Sequence, residues 1–155
     1  MKRRNSAIKG TSHRQSLSSL PLQVTLHFNV LFSLLFLVVV GGCSVAKVLY
    51  YNKKVSISTM CVWAVFESVR LYYGVSGNMM EKVPELATYV LITIFPQMPF
   101  MIYFSYVQPV LFPVDPILGT FMLVALAVQV YVGLQSIRQQ IRSQTSQFMR
   151  LVDKD

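Results

Sequence analysis

Four apolar runs dominate this chain: about Leu22 to Ala46, Val55 to Gly74, Leu86 to Val107 and Val114 to Leu134. A bilayer's hydrocarbon core, about 30 Å thick, is crossed by about 20 helical residues, and each run reaches that length. Backbone groups in hydrocarbon must be satisfied within their own segment, so such runs fold as helices. The connections, Lys47 to Lys54, Val75 to Glu85 and Gln108 to Pro113, are too short for a folded domain. The expected fold is therefore all-α: a polytopic membrane protein with four transmembrane helices in a bundle over residues 20–134. A basic, serine-rich arm, 1–19, precedes it and reads as disordered; an amphipathic tail, 135–155, follows. The first run far exceeds the roughly 7 to 15 residues of a signal-peptide core and is expected to be retained.

Composition agrees. The chain is 54% hydrophobic and 13% charged, against about 25% charged for a soluble domain. If the arm is cytoplasmic, that side holds Lys2, Arg3, Arg4, Lys9, Arg14, Lys82, Arg138, Arg142, Arg150 and Lys154. The opposite side holds Lys47, Lys53 and Lys54, with Arg70 inside a span. Basic residues concentrate on the cytoplasmic side of membrane proteins, so both termini are expected there. The aromatics lie within the apolar runs instead of interleaving with the basic residues, which argues against a nucleic-acid partner.

Glu67 and Arg70 stand three residues apart inside the second run. That spacing puts them on one helix face, where pairing offsets part of the penalty of charge in hydrocarbon. Arg70 is expected to reach toward the interface beside Tyr72 and Tyr73. A proton or ion relay is the competing reading, yet the other runs supply only His27 and neutral Gln97 and Gln129. Gln23, His27, Gln97 and Gln129 read as hydrogen-bonding groups between helices. Pro96 and Pro99 flank Gln97 and should kink the third helix. A kink of this kind serves packing, or opens a transport pathway if carbonyls are exposed.

Cys43 and Cys61 form no disulfide framework and read as small packing residues. No Asn is followed two places on by Ser or Thr, so N-glycosylation is not expected. Arg3-Arg4-Asn5-Ser6 has the pattern of a basophilic kinase site. The six acids, Glu67, Glu81, Glu85, Asp115, Asp153 and Asp155, suggest no hydrolytic pair. No catalytic residue, cofactor, metal ligand or small-molecule substrate is expected. In the tail, Leu134, Ile137, Ile141, Phe148 and Leu151 recur at steps near three and four among Arg138, Gln139, Gln140, Arg142 and Ser143. This amphipathic helix could lie on an anionic leaflet or offer its stripe to a partner helix.

The stretch Glu67-Ser-Val-Arg70-Leu-Tyr-Tyr-Gly74-Val-Ser-Gly77-Asn78-Met-Met-Glu81-Lys-Val-Pro84-Glu-Leu86 resembles the transmembrane-protein-seventeen family of four-span ciliary transition-zone proteins. Glu81-Lys-Val-Pro-Glu-Leu-Ala87 is most similar to its founding branch, and Ser18-Ser-Leu-Pro-Leu-Gln23 is a second match. The resemblance implies a non-catalytic scaffold subunit of a Meckel and tectonic-type assembly in the ciliary membrane. It would support cilium formation, the gating of membrane-protein entry and Hedgehog-type signalling. Its partners would be other membrane and soluble subunits and the bilayer. Physically, Gly74 and Gly77 are expected to permit a tight exit from the second helix, Asn78 to take turn geometry and Pro84 to start the third helix. Glu81, Lys82 and Glu85 would then form an exposed docking loop.

Overall fold

The structure is a computed structural model that describes residues 19–52 and 54–152. Residues 1–18 of the basic arm, Ser6 among them, and Lys53 and Lys154 lie outside the described residues. Helix α1 spans Leu20–Tyr51 and α2 spans Lys54–Met79. The third rod is built from α3, Val83–Ile92, and α4, Met98–Ile102, with wide π-type turns at Thr93–Gln97 and Tyr103–Val107. Helix α5 runs unbroken over Val114–Val152.

Three stretches are long and apolar enough to cross a membrane by length and composition: Leu20–Tyr51, Val83–Val107 and Val114–Met149. The sequence predicts four. Helix α2 misses that composition because Ser56, Ser58, Thr59, Glu67, Ser68 and Arg70 dilute its apolar residues. It nonetheless retraces the thickness of α1. Ser19 meets Asn78 at one end, Asn29 and Ser33 meet Glu67 midway, and the Phe36 and Trp63 rings lie 5.1 Å apart beyond them. Glu67 and Arg70 point inward, and its outward face carries Val62, Val65, Phe66, Val69 and Tyr72. An apolar exterior around polar contacts suits a helix whose solvent is lipid.

The buried side of α1 reads Leu22, Leu26, Asn29, Ser33, Phe36, Val40, Ser44 and Lys47. Steps of three and four put these on one stripe, and the outward positions between them are equally or more apolar. The bundle is layered as a result. Leu22, Leu26, Leu86, Tyr89 and Val90 pack at the end where α1 begins. Phe36, Val40, Met60, Trp63, Met101, Phe104, Met122 and Leu126 pack toward the other. Asn29, Ser33, Glu67, Arg70, Gln97 and Gln129, drawn from all four rods, fall between them.

Several local expectations are corrected. Helix α1 continues past Ala46 to Tyr51, closed by Asn52 in the left-handed region at φ 52. Lys47 is therefore a helix residue. Gly74 and Gly77 also lie inside a helix, where they serve close packing. A Cβ on Gly74 would stand 2.8 Å from Leu26, and one on Gly77 would stand 2.7 Å from the Leu86 backbone nitrogen. The exit turn belongs to Glu81, at φ 55, with the Lys82 amide bonded back to the Gly77 carbonyl at 3.1 Å. Pro84 occupies the first turn of α3. Phe95, at φ −142 and ψ 113, leaves helical geometry just before Pro96, so the third rod is interrupted more sharply than a simple bend. The tail is a direct continuation of the last span.

Candidate functional site: a polar layer inside the bundle

Glu67 sits at the centre of the layer between the two apolar clusters. Its Oε1 accepts from Asn29 Nδ2 at 2.9 Å, Ser33 Oγ at 2.5 Å and Arg70 Nη2 at 2.6 Å. Its Oε2 accepts from Arg70 Nε at 2.9 Å and from Gln97 Nε2. Five donors from three rods fill the acceptor capacity of one carboxylate. Arg70 is fully buried and spends its remaining reach on the fourth rod, donating from Nη1 to Gln129 Oε1 at 2.5 Å. The Tyr89 hydroxyl donates to the same oxygen at 2.9 Å, and the Arg70 guanidinium lies 5.6 Å from the Tyr89 ring centre.

This placement corrects the expectation that Arg70 reaches toward the interface beside Tyr72 and Tyr73. The guanidinium fork matches a carboxylate and an amide on two different helices, which a single ammonium could not do with the same geometry. The wide turn at Thr93–Gln97 aims the Gln97 amide at Glu67, so the kink has a structural use in this layer.

A second buried pair closes the far end. Lys47 Nζ lies 2.6 Å from Asp115 Oδ2, with both side chains fully buried. Asp115 also accepts from Gln108 Nε2 at 3.0 Å and from the Phe112 amide at 2.8 Å. The end of α1 is thereby fastened to the start of α5. At the near end, Ser19 donates through its amide to Asn78 Oδ1 at 3.1 Å, and its hydroxyl lies 2.6 Å from that of Ser136. Asn78 is thus a buried link between helices and not a turn residue.

The remaining predicted positions are peripheral. His27 is exposed, and Gln23 lies on the same outward side. Cys43 is half-buried and Cys61 exposed. Lys82 and Glu85 pair at 3.0 Å, Glu85 also accepts from Ser76, and the Glu81 carbonyl accepts from Gln144 Nε2 at 3.1 Å. Part of the proposed docking loop is therefore engaged by its own chain. Among the described residues no group of three or more His, Cys, Asp or Glu is placed to hold a metal.

Sequence reasoning found Glu67, Arg70, Gln97 and Gln129 but missed Asn29, Ser33, Tyr89, Lys47 and Asp115. The usable signal is the Asn29-to-Ser33 step of four, which puts two polar side chains on one face of a mostly apolar run, the face that meets Glu67. A family model described as a predicted membrane protein, for chains of the transmembrane protein 17 type, matches residues 24–126. The chain belongs to the transmembrane protein 17 family. Transmembrane protein 17B of Danio rerio is 33% identical over 142 residues, covering 88% of this chain and 73% of that one. Transmembrane protein 17A of Xenopus tropicalis is 32% identical over 146 residues, covering 88% and 75%. Transmembrane protein 17 of Gallus gallus is 38% identical over 93 residues, covering 56% and 43%. No solved structure matches. Within this transmembrane protein 17 family member, the matched segment takes in every residue of the polar layer except Gln129.

Proposed function

We propose that this protein is a non-catalytic scaffold subunit of the ciliary transition-zone membrane assembly of Meckel and tectonic type. In that role it supports cilium formation, controlled entry of membrane proteins and Hedgehog-type signalling. Family membership supports the setting, through the Glu67-to-Leu86 stretch that carries the resemblance. The observation that carries the scaffold reading is the saturation of Glu67. A relay or ion pathway needs titratable groups free to exchange protons or ligands across the bilayer. Here the carboxylate, the guanidinium and the amides are committed to one another across four rods. Such a layer fixes helix positions and presents a constant outer surface to partners.

We place both termini in the cytoplasm. Burial of Lys47 against Asp115 lowers the exposed positive charge of the opposite end and so strengthens the charge asymmetry. The competing reading, a small channel or transporter subunit built on the kinked third rod, draws on an apolar outer groove of about 470 Å³ beside Phe95, Pro96 and Pro99. That groove opens sideways and is lined by apolar and aromatic groups, with Thr59 and Tyr103 its polar contributors, which fits lipid better than an ion.

The test is to tag the C-terminus in ciliated cells and image the chain against markers of the basal body and the axoneme. A discrete signal between the two is expected. A signal spread over the endoplasmic reticulum or plasma membrane would overturn the transition-zone assignment.

A further inference from the structure

The lipid-facing residues of α5, Ile117, Phe121, Val124, Val128, Tyr131 and Leu134, give way at Gln135 to exposed Arg138, Gln139 and Arg142. The apolar belt therefore ends near Leu134, about 30 Å from Val114 and close to the thickness of a hydrocarbon core. The helix does not bend there. It continues to Val152, so its last 18 residues project about 27 Å beyond the belt. Ser136 against Ser19, buried Gln140 and the Gln144 bond to the Glu81 carbonyl hold this segment in line with the bundle.

Along one edge of the projecting segment Leu134, Arg138, Ile141, Thr145, Phe148 and Val152 alternate at steps of four and three. Ile141 is 47% exposed, Phe148 65% and Val152 55%. A collinear helix cannot lay these residues on the leaflet, because Phe148 stands about 20 Å past the end of the belt. Exposed apolar side chains at that distance from lipid form an interaction surface. Arg138 and Arg142 flank them and take part in no ion pair among the described residues. Beside the edge lies a shallow recess of about 600 Å³ lined by Arg138, Gln139, Arg142 and Ser143, all hydrogen-bond donors. Residues 135–152 include three arginines and no acid, so a second copy would meet like charge.

We propose that the projecting end of α5 is a docking surface for an acidic amphipathic helix of a partner protein. The partner's apolar stripe packs on Ile141 and Phe148, and its carboxylates meet Arg138 and Arg142. The proposal rests on the scaffold reading, which it extends by naming the chemistry of one partner.

The test uses the full chain in nanodiscs of zwitterionic lipid and a labelled amphipathic peptide with leucine at its core positions and glutamate beside them. A twin peptide carries lysine in place of glutamate. The glutamate peptide is expected to bind at least about tenfold tighter than its twin and to weaken as salt rises. Ile141→Ser and Phe148→Ser should each weaken it by about tenfold or more, with unchanged elution of the nanodisc protein. Equal binding of the twins, or full binding by both serine variants, would overturn the proposal. So would efficient self-crosslinking of Phe148→Cys, which assigns the surface to a second copy, or quenching of a dye at position 148 by lipid-borne quenchers, which assigns it to the leaflet. Correct ciliary localisation without peptide binding overturns the docking surface and leaves the scaffold reading standing. Peptide binding by a chain spread over other membranes does the reverse.

Discussion

Lys47, one turn before the end of α1, and Asp115, in the first turn of α5, form a fully buried ion pair at 2.6 Å between segments 68 residues apart. Removing one member of such a pair leaves the other charge buried without its counterion, at about 3 to 5 kcal/mol. Lys47→Met or Asp115→Asn should each lower stability on that scale, measured by denaturant titration in mild detergent. The double variant Lys47→Met with Asp115→Asn should recover most of the loss, since both charges are then absent while an amide oxygen still serves the Gln108 and Phe112 donors. A double variant as unstable as the sum of the singles would mean that the pair does not act as a unit.

The same logic applies to the central layer with more partners at stake. Glu67→Gln leaves Arg70 without a counterion and turns one of the two acceptor oxygens into an NH2 donor, so either the Asn29 and Ser33 donors or the Gln97 donor loses its acceptor. It should destabilise by several kcal/mol, on the order of 3 to 5. Gln129→Leu removes a neutral acceptor and should change stability by about 1 to 2 kcal/mol. Thermal unfolding in one detergent ranks the two, and an equal effect would remove Glu67 from the centre of the network.

Two glycines separate packing from mere tolerance. An alanine methyl at Gly77 meets the Leu86 backbone nitrogen at 2.7 Å, whereas one at Gly42 meets nothing within 4 Å. Gly77→Ala should destabilise by about 1 to 3 kcal/mol because backbone must move. Gly42→Ala should be neutral or stabilising by up to about 1 kcal/mol, since alanine favours the helix. Reversal of that order in an unfolding series would contradict the close approach of α2 and α3.

The Glu81 and Lys82 turn gives a prediction about partners instead of stability. The Lys82 side chain is 54% exposed, and its pair with Glu85 adds little at such a surface. Replacing Glu81 and Lys82 with alanine should leave membrane insertion and detergent stability unchanged while weakening co-purification of partner subunits. Unchanged co-purification would assign partner contact to other surfaces.

The long apolar runs, the start of α3 at Pro84 and the break near Pro96 were legible in the sequence, because chain length, missing donors and ring geometry act locally. The buried stripe of α1 was not. In lipid both faces of a helix are apolar, so hydropathy cannot separate the inward Leu22 and Phe36 from the outward Leu31 and Leu34. Asn29 and Ser33 marked the inward side but are small enough to pass as ordinary members of the run. A charge near the end of a run usually marks water, so the sequence alone places Lys47 in a loop. Its partner, Asp115, lies at the start of a different run, and the fold alone brings them together. Conformational preference points to a turn at Gly74, Gly77 and Asn78, whereas Glu81 takes the left-handed position and the glycines serve helix contact.

The unbroken course of α5 makes its outer end a lever whose fulcrum is the bilayer. A span adjusts its tilt when the surrounding membrane is thicker or thinner than its apolar length. With no hinge between the Gln129 layer and Val152, a tilt change of about ten degrees would swing the tip by roughly 5 Å. The position of Phe148 relative to the membrane normal is thus set by lipid contacts made about 20 Å away from it.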